Sequence, residues 1–471
     1  MRRIRETCLY LLVAVMLLGC LVPVASALEL SETTVSSGCH SVDAAKPLDT
    51  QTQVLDTAKS AFVYERGSGT VIYAWNADGK VYPASMVKLM TALVALEDGN
   101  LSDNVVVTRA ALNQLPPGAL TMRLAVGEEL TLEQLLYGMM VASANDAAVV
   151  IAQHVAGSQE AFVARMNEKA RELGCTGTSF SNTHGLHDEM TYTTARDVCR
   201  VLLAGLENEI FQTLFQTISY QLPATNMSEA RKLTSTNTMM FDSSKAYYDS
   251  RVTGGRTGST DAAGRCIAVT ASANGLDLVG VVMGAQPTYS ETGGNLVRYG
   301  SFEEMKDLLD HTFGSYSFHQ LATKGQVLNQ LQVENGANDV AIKPENSISA
   351  VLPLELDESA LVWKVDCGSL IAPVEAGQQL GTLQVWYGTI CLGGTALVAA
   401  NSSAVDSPLI MPLRPSQMDD RGSWITVIII VGIAAVAVAV AMAVRWTPKI
   451  IRRIKLRLRR RRRRINRRRT R

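Results

Sequence analysis

Pro83-Ala84-Ser85-Met86-Val87-Lys88 is the stretch on which the reading of this chain turns. A serine and a lysine three residues apart at a helix start share one face, a turn apart. Pro83 is a helix-start signal, and Ser85 to Leu96 is apolar almost all round, which predicts a helix buried in the middle of a domain. A serine hydroxyl is a weak nucleophile at neutral pH and needs a base. A lysine in an apolar pocket can supply one, because burial disfavours its charged form. At the positive end of the helix dipole, backbone N–H groups near Ser85 can also hold an oxyanion. The plainer reading makes Ser85 an N-cap and Lys88 a surface lysine. Met86, Val87, Leu89 and Met90 leave that lysine no obvious solvent face.

Two later stretches extend the pattern. Ser143-Ala144-Asn145 falls between two predicted helices, where side chains project into a cleft. The first opens at the capping box Thr131-Leu132-Glu133-Gln134 and runs to about Val141; the second follows Asn145-Asp146 and ends at Ala156-Gly157. A hydroxyl at Ser143 can relay a proton, and the Asn145 amide can hold a substrate carbonyl or amide. The alternative is a helix cap at Asn145 or Asp146 with Ser143 in an ordinary loop. Arg256-Thr257-Gly258-Ser259-Thr260 precedes a hairpin of Cys266 to Ser272 and Leu278 to Met283, joined across Asn274-Gly275. It is expected as an edge strand lining the cleft. Gly258 lets a substrate approach the backbone, the Arg256 cation and Thr257 hydroxyl would bind a carboxylate, and the Ser259 N–H would complete an oxyanion hole with that of Ser85. A Gly254-Gly255 turn leading into an ordinary strand is the simpler alternative.

Ser-x-x-Lys, Ser-x-Asn and a Lys-Thr-Gly-like triplet in this order form a known catalytic signature, with Arg256 here in the lysine's place. The chain resembles the penicillin-binding D-alanyl-D-alanine carboxypeptidases, the low-molecular-mass class C type, from roughly Ala61 to Val398. The resemblance also rests on Phe180-Ser181-Asn182-Thr183-His184-Gly185-Leu186 and Thr193-Thr194-Ala195-Arg196-Asp197. It implies a β-lactamase/transpeptidase-like catalytic domain, then a small all-β domain and a C-terminal transmembrane helix. It also implies Ser85 as acyl-enzyme nucleophile, Lys88 as general base, Ser143 in proton relay, and Arg256 at the substrate-binding lysine's position. Asn145, Thr257, Gly258 and Ser259 complete the expected substrate-binding set, whereas His184 and Arg196 read as scaffold. The implied substrate is the peptidoglycan stem pentapeptide, β-lactams are the implied inhibitors, and neither metal nor cofactor is needed. A β-lactamase remains open, as does a non-catalytic wall-binding or sensory protein degenerate through Arg256.

The order of elements is consistent with that fold. Ala61 to Tyr64 and Thr70 to Trp75 alternate as strands around Gly67-Ser68-Gly69; helices follow, including an amphipathic one from Gln159 to Leu173; then come the strands of the later hairpin and a helix from Phe302 to Phe313. Strands, helices, strands and helix imply an α+β domain whose terminal segments build one sheet around a helical lobe. Residues 28–53 read as a linker and 54–317 as the catalytic domain. Short alternating runs separated by Gly, Pro and Asn turns make 318–405 a β-rich domain, and 406–423 a second linker.

The two ends define a compartment. Arg2, Arg3 and Arg5, an apolar run from Leu9 to Val24, and Ala25-Ser26-Ala27 form a signal peptide over 1–27. A lipobox at Leu17-Leu18-Gly19-Cys20 is the competing reading. Ile425 to Val444, about twenty uncharged residues, is long enough to span a bilayer; Trp424 and Trp446 flank it, setting the span at 424–446. The basic tail over 447–471 is expected inside, the remainder outside facing the wall. The balance of 44 Lys+Arg against 44 Asp+Glu therefore hides an acidic ectodomain and a basic tail. Directly after a span, that tail holds anionic headgroups more simply than nucleic acid. Of the 8 cysteines, Cys39, Cys175, Cys199, Cys266, Cys367 and Cys391 follow the signal. Export permits disulfides, and Cys367 with Cys391 is the expected pair, although free thiols stay possible at every position.

Overall fold

The sheet that positions the site is assembled from both ends of the catalytic region. The computed structural model describes residues 42, 46–49, 52–290, 296–356 and 358–406. The expected signal peptide, membrane span and basic tail lie outside the described residues, and no helix among those described is long and apolar enough to cross a membrane. Strands β1 (Ser60–Glu65) and β2 (Thr70–Trp75) lead through a 3-10 turn, Ala84–Met86, into α1 (Val87–Asp98). The helical lobe continues with β3 (Asn104–Val106), α2 (Arg109–Leu112), β4 (Glu129–Thr131), α3 (Leu132–Val141), α4 (Asn145–Ala156), α5 (Gln159–Glu172), α6 (Ala195–Leu206) and α7 (Glu209–Gln216). After the short pair β5 (Ser219–Leu222) and β6 (Arg231–Thr234) come β7 (Val252–Thr260), β8 (Gly264–Ala273) and β9 (Leu276–Ala285). The pair β10 (Thr288–Tyr289) and β11 (Leu296–Arg298) then precedes α8 (Ser301–Ser315).

The main sheet has the order β2-β1-β9-β8-β7, antiparallel throughout. Strand pleating separates its faces. Ile267, Val269 and Val282 pack with Phe302, Met305, Leu308 and Leu309 of α8, while Phe62, Ala268 and Val281 face the helical lobe. The sheet is thus sandwiched, and its β7 edge is left for the cleft. The other edge is covered: Leu48 N donates to Val71 O at 3.0 Å and Asp49 N to Ile72 O at 2.9 Å. The described end of the expected linker therefore belongs to the domain.

Helix α1 is buried from Val87 to Ala95. Apolar residues on every side make it a central element rather than an amphipathic one. Each buried Leu or Met there contributes about 1.5–3 kcal/mol. The predicted capping box is present at the start of α3, with Thr131 Oγ1 accepting from Gln134 N at 3.2 Å.

The β-rich region begins directly after α8 with β12 (Tyr316–Ala322), followed by β13 (Asn329–Leu331), β14 (Val340–Pro344), β15 (Ile348–Pro353), β16 (Leu361–Cys367), β17 (Gln379–Tyr387) and β18 (Ile390–Ala399). One sheet runs β13-β14-β18-β17-β16, and β12 pairs with β15. Alternation along β15 joins the two regions: Ala350 and Leu352 enter the core of the β-rich region, whereas Val351 packs with Phe313 and Tyr316.

The expected Cys367–Cys391 bridge is not made. Cys367 has a free thiol, and Cys391 is disulfide-bonded elsewhere. Strand register explains this. Cys367 pairs with Gly381 on one flank of β17, and Cys391 with Trp386 on the other. Two strand spacings of about 4.8 Å and several residues along the strand separate them, well beyond the roughly 7 Å Cα limit of a disulfide.

Candidate active site

Ser85 sits at the junction of the 3-10 turn and α1. Met86 N donates to Pro83 O at 3.1 Å, and Ala84 holds φ +46°, a left-handed conformation uncommon outside glycine. Strain of this kind persists where surrounding structure over-determines it. Here the constraint is visible at Gly185, φ +81°, where a Cβ would fall 1.9 Å from Ala84 O. Only glycine lets that segment press against the turn that presents Ser85.

One helical turn on, Lys88 is completely buried. Its Nζ lies 3.0 Å from Ser85 Oγ, 2.7 Å from Asn145 Oδ1 and 2.5 Å from His184 O. Burial, and after it the nearby Arg256 charge, hold Lys88 well below the usual lysine range, while Asp146 pulls the other way. A neutral amine has two N–H donors and one lone pair. Two of its neighbours, Asn145 Oδ1 and His184 O, can only accept, so they take both N–H groups and leave the lone pair directed at the Ser85 hydroxyl.

Ser143 lies in the connection between α3 and α4 with φ +60°. Its Oγ donates to Ser85 Oγ at 3.2 Å and accepts from Arg256 Nη2 at 2.8 Å. The arginine occupies the acceptor side of this hydroxyl and so orients its proton toward Ser85. Asn145 opens α4 without a side-chain cap at Ala144, which frees its amide for Lys88. The neighbouring Asp146 accepts from Met122 N, Leu124 N and Ala147 N, fixing the segment beside it.

Arg256 reaches in from β7. It is only 1% exposed; Nη1 donates to Met140 O at 2.8 Å and Nε to Ser85 O at 3.3 Å. Burial draws its pKa down to about 9, still charged at neutral pH. Each of its three nitrogens makes one hydrogen bond within the protein, which uses three of the five N–H groups of a guanidinium and anchors the cation in the cluster. Thr257 Oγ1 donates to Thr236 Oγ1 at 2.6 Å. At Gly258 a Cβ would lie 2.9 Å from Ser85 N and 3.2 Å from Pro83 O, so glycine allows β7 to approach the serine turn. Ser259 is exposed, and its Oγ accepts from Arg265 Nη1 at 2.8 Å.

The structure thus brings Ser85, Lys88, Ser143, Asn145 and Arg256 into one hydrogen-bonded cluster, with Thr257, Gly258 and Ser259 on the adjoining edge strand. Sequence reasoning did not single out the His184 carbonyl, Thr236 or Arg265. His184 itself is pushed down to about 4 by burial and by Lys88, and is neutral; its contribution to the cluster is the backbone oxygen. Among the described residues no group of three or more His, Cys, Asp or Glu is placed to hold a metal.

A serine bonded to a buried lysine, with a second serine alongside and an edge strand at the helix start, has the arrangement of a serine–lysine acyl-transfer site. Residues 48–287 match the Peptidase S11 family, D-alanyl-D-alanine carboxypeptidase, and 316–404 match the C-terminal domain of penicillin-binding protein 5. The chain belongs to this D-alanyl-D-alanine carboxypeptidase family. It is 32% identical over 333 residues to D-alanyl-D-alanine carboxypeptidase DacF of Bacillus subtilis, covering 69% of this chain and 80% of the relative. DacA of Escherichia coli K12 is 28% identical over 339 residues, covering 69% and 78%. The fold is shared with penicillin-binding protein 5 of Haemophilus influenzae, at TM-score 0.59 and 24% identity over 76% of this chain and 99% of that one.

Proposed function

We propose that this chain is a serine-type D-Ala-D-Ala carboxypeptidase that removes the terminal D-alanine of peptidoglycan stem pentapeptides through an acyl-enzyme on Ser85. The observation that carries the reading is the 3.0 Å contact between Ser85 Oγ and the fully buried Lys88 Nζ. Neutral Lys88 takes the hydroxyl proton as Ser85 Oγ attacks the carbonyl carbon between the two D-alanines. The N–H groups of Ser85 and Ser259 hold the oxyanion. As the C–N bond breaks, the proton passes from Lys88 through the Ser143 hydroxyl to the departing amine. D-Alanine leaves and an ester remains. Water then attacks the ester carbon, giving its proton to Lys88, and Ser85 recovers its hydrogen as the shortened peptide departs. The buried Arg256 charge favours the substrate's terminal carboxylate at the end of the cleft, and the Thr257–Thr236 hydroxyl pair offers it the Thr236 proton, since Thr257 donates its own to Thr236. β-Lactams acylate the same serine.

The sequence features outside the described residues support a membrane-anchored form. A cleaved signal over 1–27 and a span over 424–446 with a cytoplasmic basic tail would hold the catalytic region at the outer surface. Tethering there raises the local concentration of wall substrate.

The test is D-alanine release from a pentapeptide by wild type and Ser85→Ala. The proposal expects release by wild type and none by the variant. Equal release by both would remove Ser85 from the mechanism.

A further inference from the structure

A cavity of about 310 Å³ lies beyond the end of the edge strand β7, lined by Lys59, Lys80, Tyr82, Glu189, Tyr192 and Ala262 among others. That is at the lower end of the volumes typical of ligand pockets. Its walls are continuous with the catalytic cluster. Tyr82 lies three residues before Ser85, and Ala262 follows Gly258 by four, at most about 13 Å of extended chain at about 3.3 Å per residue. The frame is fixed: Val81 N donates to Thr193 O at 2.8 Å and Thr193 N to Val81 O at 2.9 Å. Tyr82 meets His187 edge-on at 4.7 Å.

The charge of this cavity has no structural explanation. Lys59 and Lys80 are exposed, and among the described residues neither is paired with a carboxylate. Lys80 Nζ is instead held 4.0 Å over the Tyr192 ring, which fixes the ammonium without neutralising it. The backbone of Lys59 is tied to Met283 O at 2.9 Å, and its aliphatic stem packs against Gly284. Both lysines line a space into which a peptide lying along β7 would run. Glu189 adds one acceptor for peptide N–H groups.

Direction follows from the proposed reaction: with the terminal carboxylate of the leaving D-alanine toward Thr257, the acyl side runs past Ser259 toward Ala262. We propose that this cavity is a specificity subsite in which Lys59 and Lys80 bind a carboxylate on the acyl side of the substrate, two or three residues before the scissile bond. The inference rests on the carboxypeptidase reading and specifies its substrate as an acidic peptide.

The test compares a pentapeptide ending in D-Ala-D-Ala with a free glutamate carboxylate at its second residue, and the same peptide with that carboxylate amidated. Wild type should have the lower KM for the acidic peptide, by about five- to tenfold, the scale of one or two exposed charge pairs. The preference should weaken with added salt. In the double variant Lys59→Ala/Lys80→Ala the preference should vanish through KM, with kcat, turnover of the amidated peptide and penicillin acylation unchanged. A double variant that keeps the preference overturns the subsite. Failure of wild type to release D-alanine from either peptide would count against the carboxypeptidase reading instead. The subsite is then read by NMR titration with the acidic tripeptide lacking D-Ala-D-Ala. Tighter binding to wild type than to the double variant supports it, and equal binding by the two overturns it.

Discussion

Replacing Arg256 separates its charge from its hydrogen bonds. Arg256→Met removes both: Met140 O and Ser143 Oγ lose donors at 2.8 Å each, and Lys88 loses a like charge that holds its proton affinity down. Each buried acceptor left unsatisfied costs about 1–3 kcal/mol, so stability should fall by about 2–6 kcal/mol. Misorientation of the Ser143 hydroxyl should slow acylation about 100-fold, about 2.7 kcal/mol in barrier. Arg256→Lys keeps the cation and one or two donors, and should alter the rate by no more than about tenfold, or 1.4 kcal/mol. The pH dependence distinguishes the two. Acylation needs neutral Lys88, so the rate rises with pH through the folded pKa of Lys88. Removing the neighbouring charge raises that pKa and moves the rising limb to higher pH in Arg256→Met, while Arg256→Lys leaves it near wild type. Because Lys88 is depressed in the folded state, the unfolded chain binds more protons between the two pKa values, and stability also rises with pH across that window. The assay is the rate of labelled-penicillin acylation across the neutral to alkaline range, with thermal unfolding in parallel. An unshifted limb in Arg256→Met would refute the electrostatic part of this reasoning.

Other outcomes follow from single contacts. Lys88→Arg should fold yet fail to acylate, because guanidinium keeps its proton; acylation near the wild-type rate would mean that charge alone suffices. Gly185→Ala places a Cβ 1.9 Å from Ala84 O at φ +81°, so both melting temperature and acylation should fall, and wild-type values for both would show that the Ala84 turn is not wedged there. Protease added to intact, wall-stripped cells should digest the chain before Ser423 and spare the basic tail; cleavage of the tail from outside would reverse the proposed topology.

The parts of the site legible in the sequence were those in which side-chain identity and spacing carry the chemistry. Ser85 and Lys88 share a helix face because they are three apart, and Ser143 and Asn145 fall between two helices, the first of which is readable from its capping box at Thr131. The His184 carbonyl was not legible, since a backbone oxygen leaves no mark on residue type; its only trace is Gly185, demanded by the approach to Ala84. Arg256 was correctly placed on an edge strand, but its burial and inward hydrogen bonds depend on how β7 meets α1 and α3, which spacing does not encode. Helix α6 did leave a signal, Thr194 three residues before Asp197, and Thr194 does accept from Asp197 N at 3.0 Å. The cysteine pairing failed for want of register: Cys367 and Cys391 share a small region but sit on opposite flanks of β17. Lys59, Lys80 and Tyr192 are far apart in the chain and meet only through the β1, Val81 and Thr193 contacts.

The central claim is that Ser85 is the residue that becomes acylated. Peptide mapping by mass spectrometry after brief exposure to a penicillin tests it most directly. The account predicts one adduct on the peptide containing Ser85, absent in a folded Ser85→Ala variant. An adduct on Ser143 or Ser259, or undiminished labelling of Ser85→Ala, would contradict it.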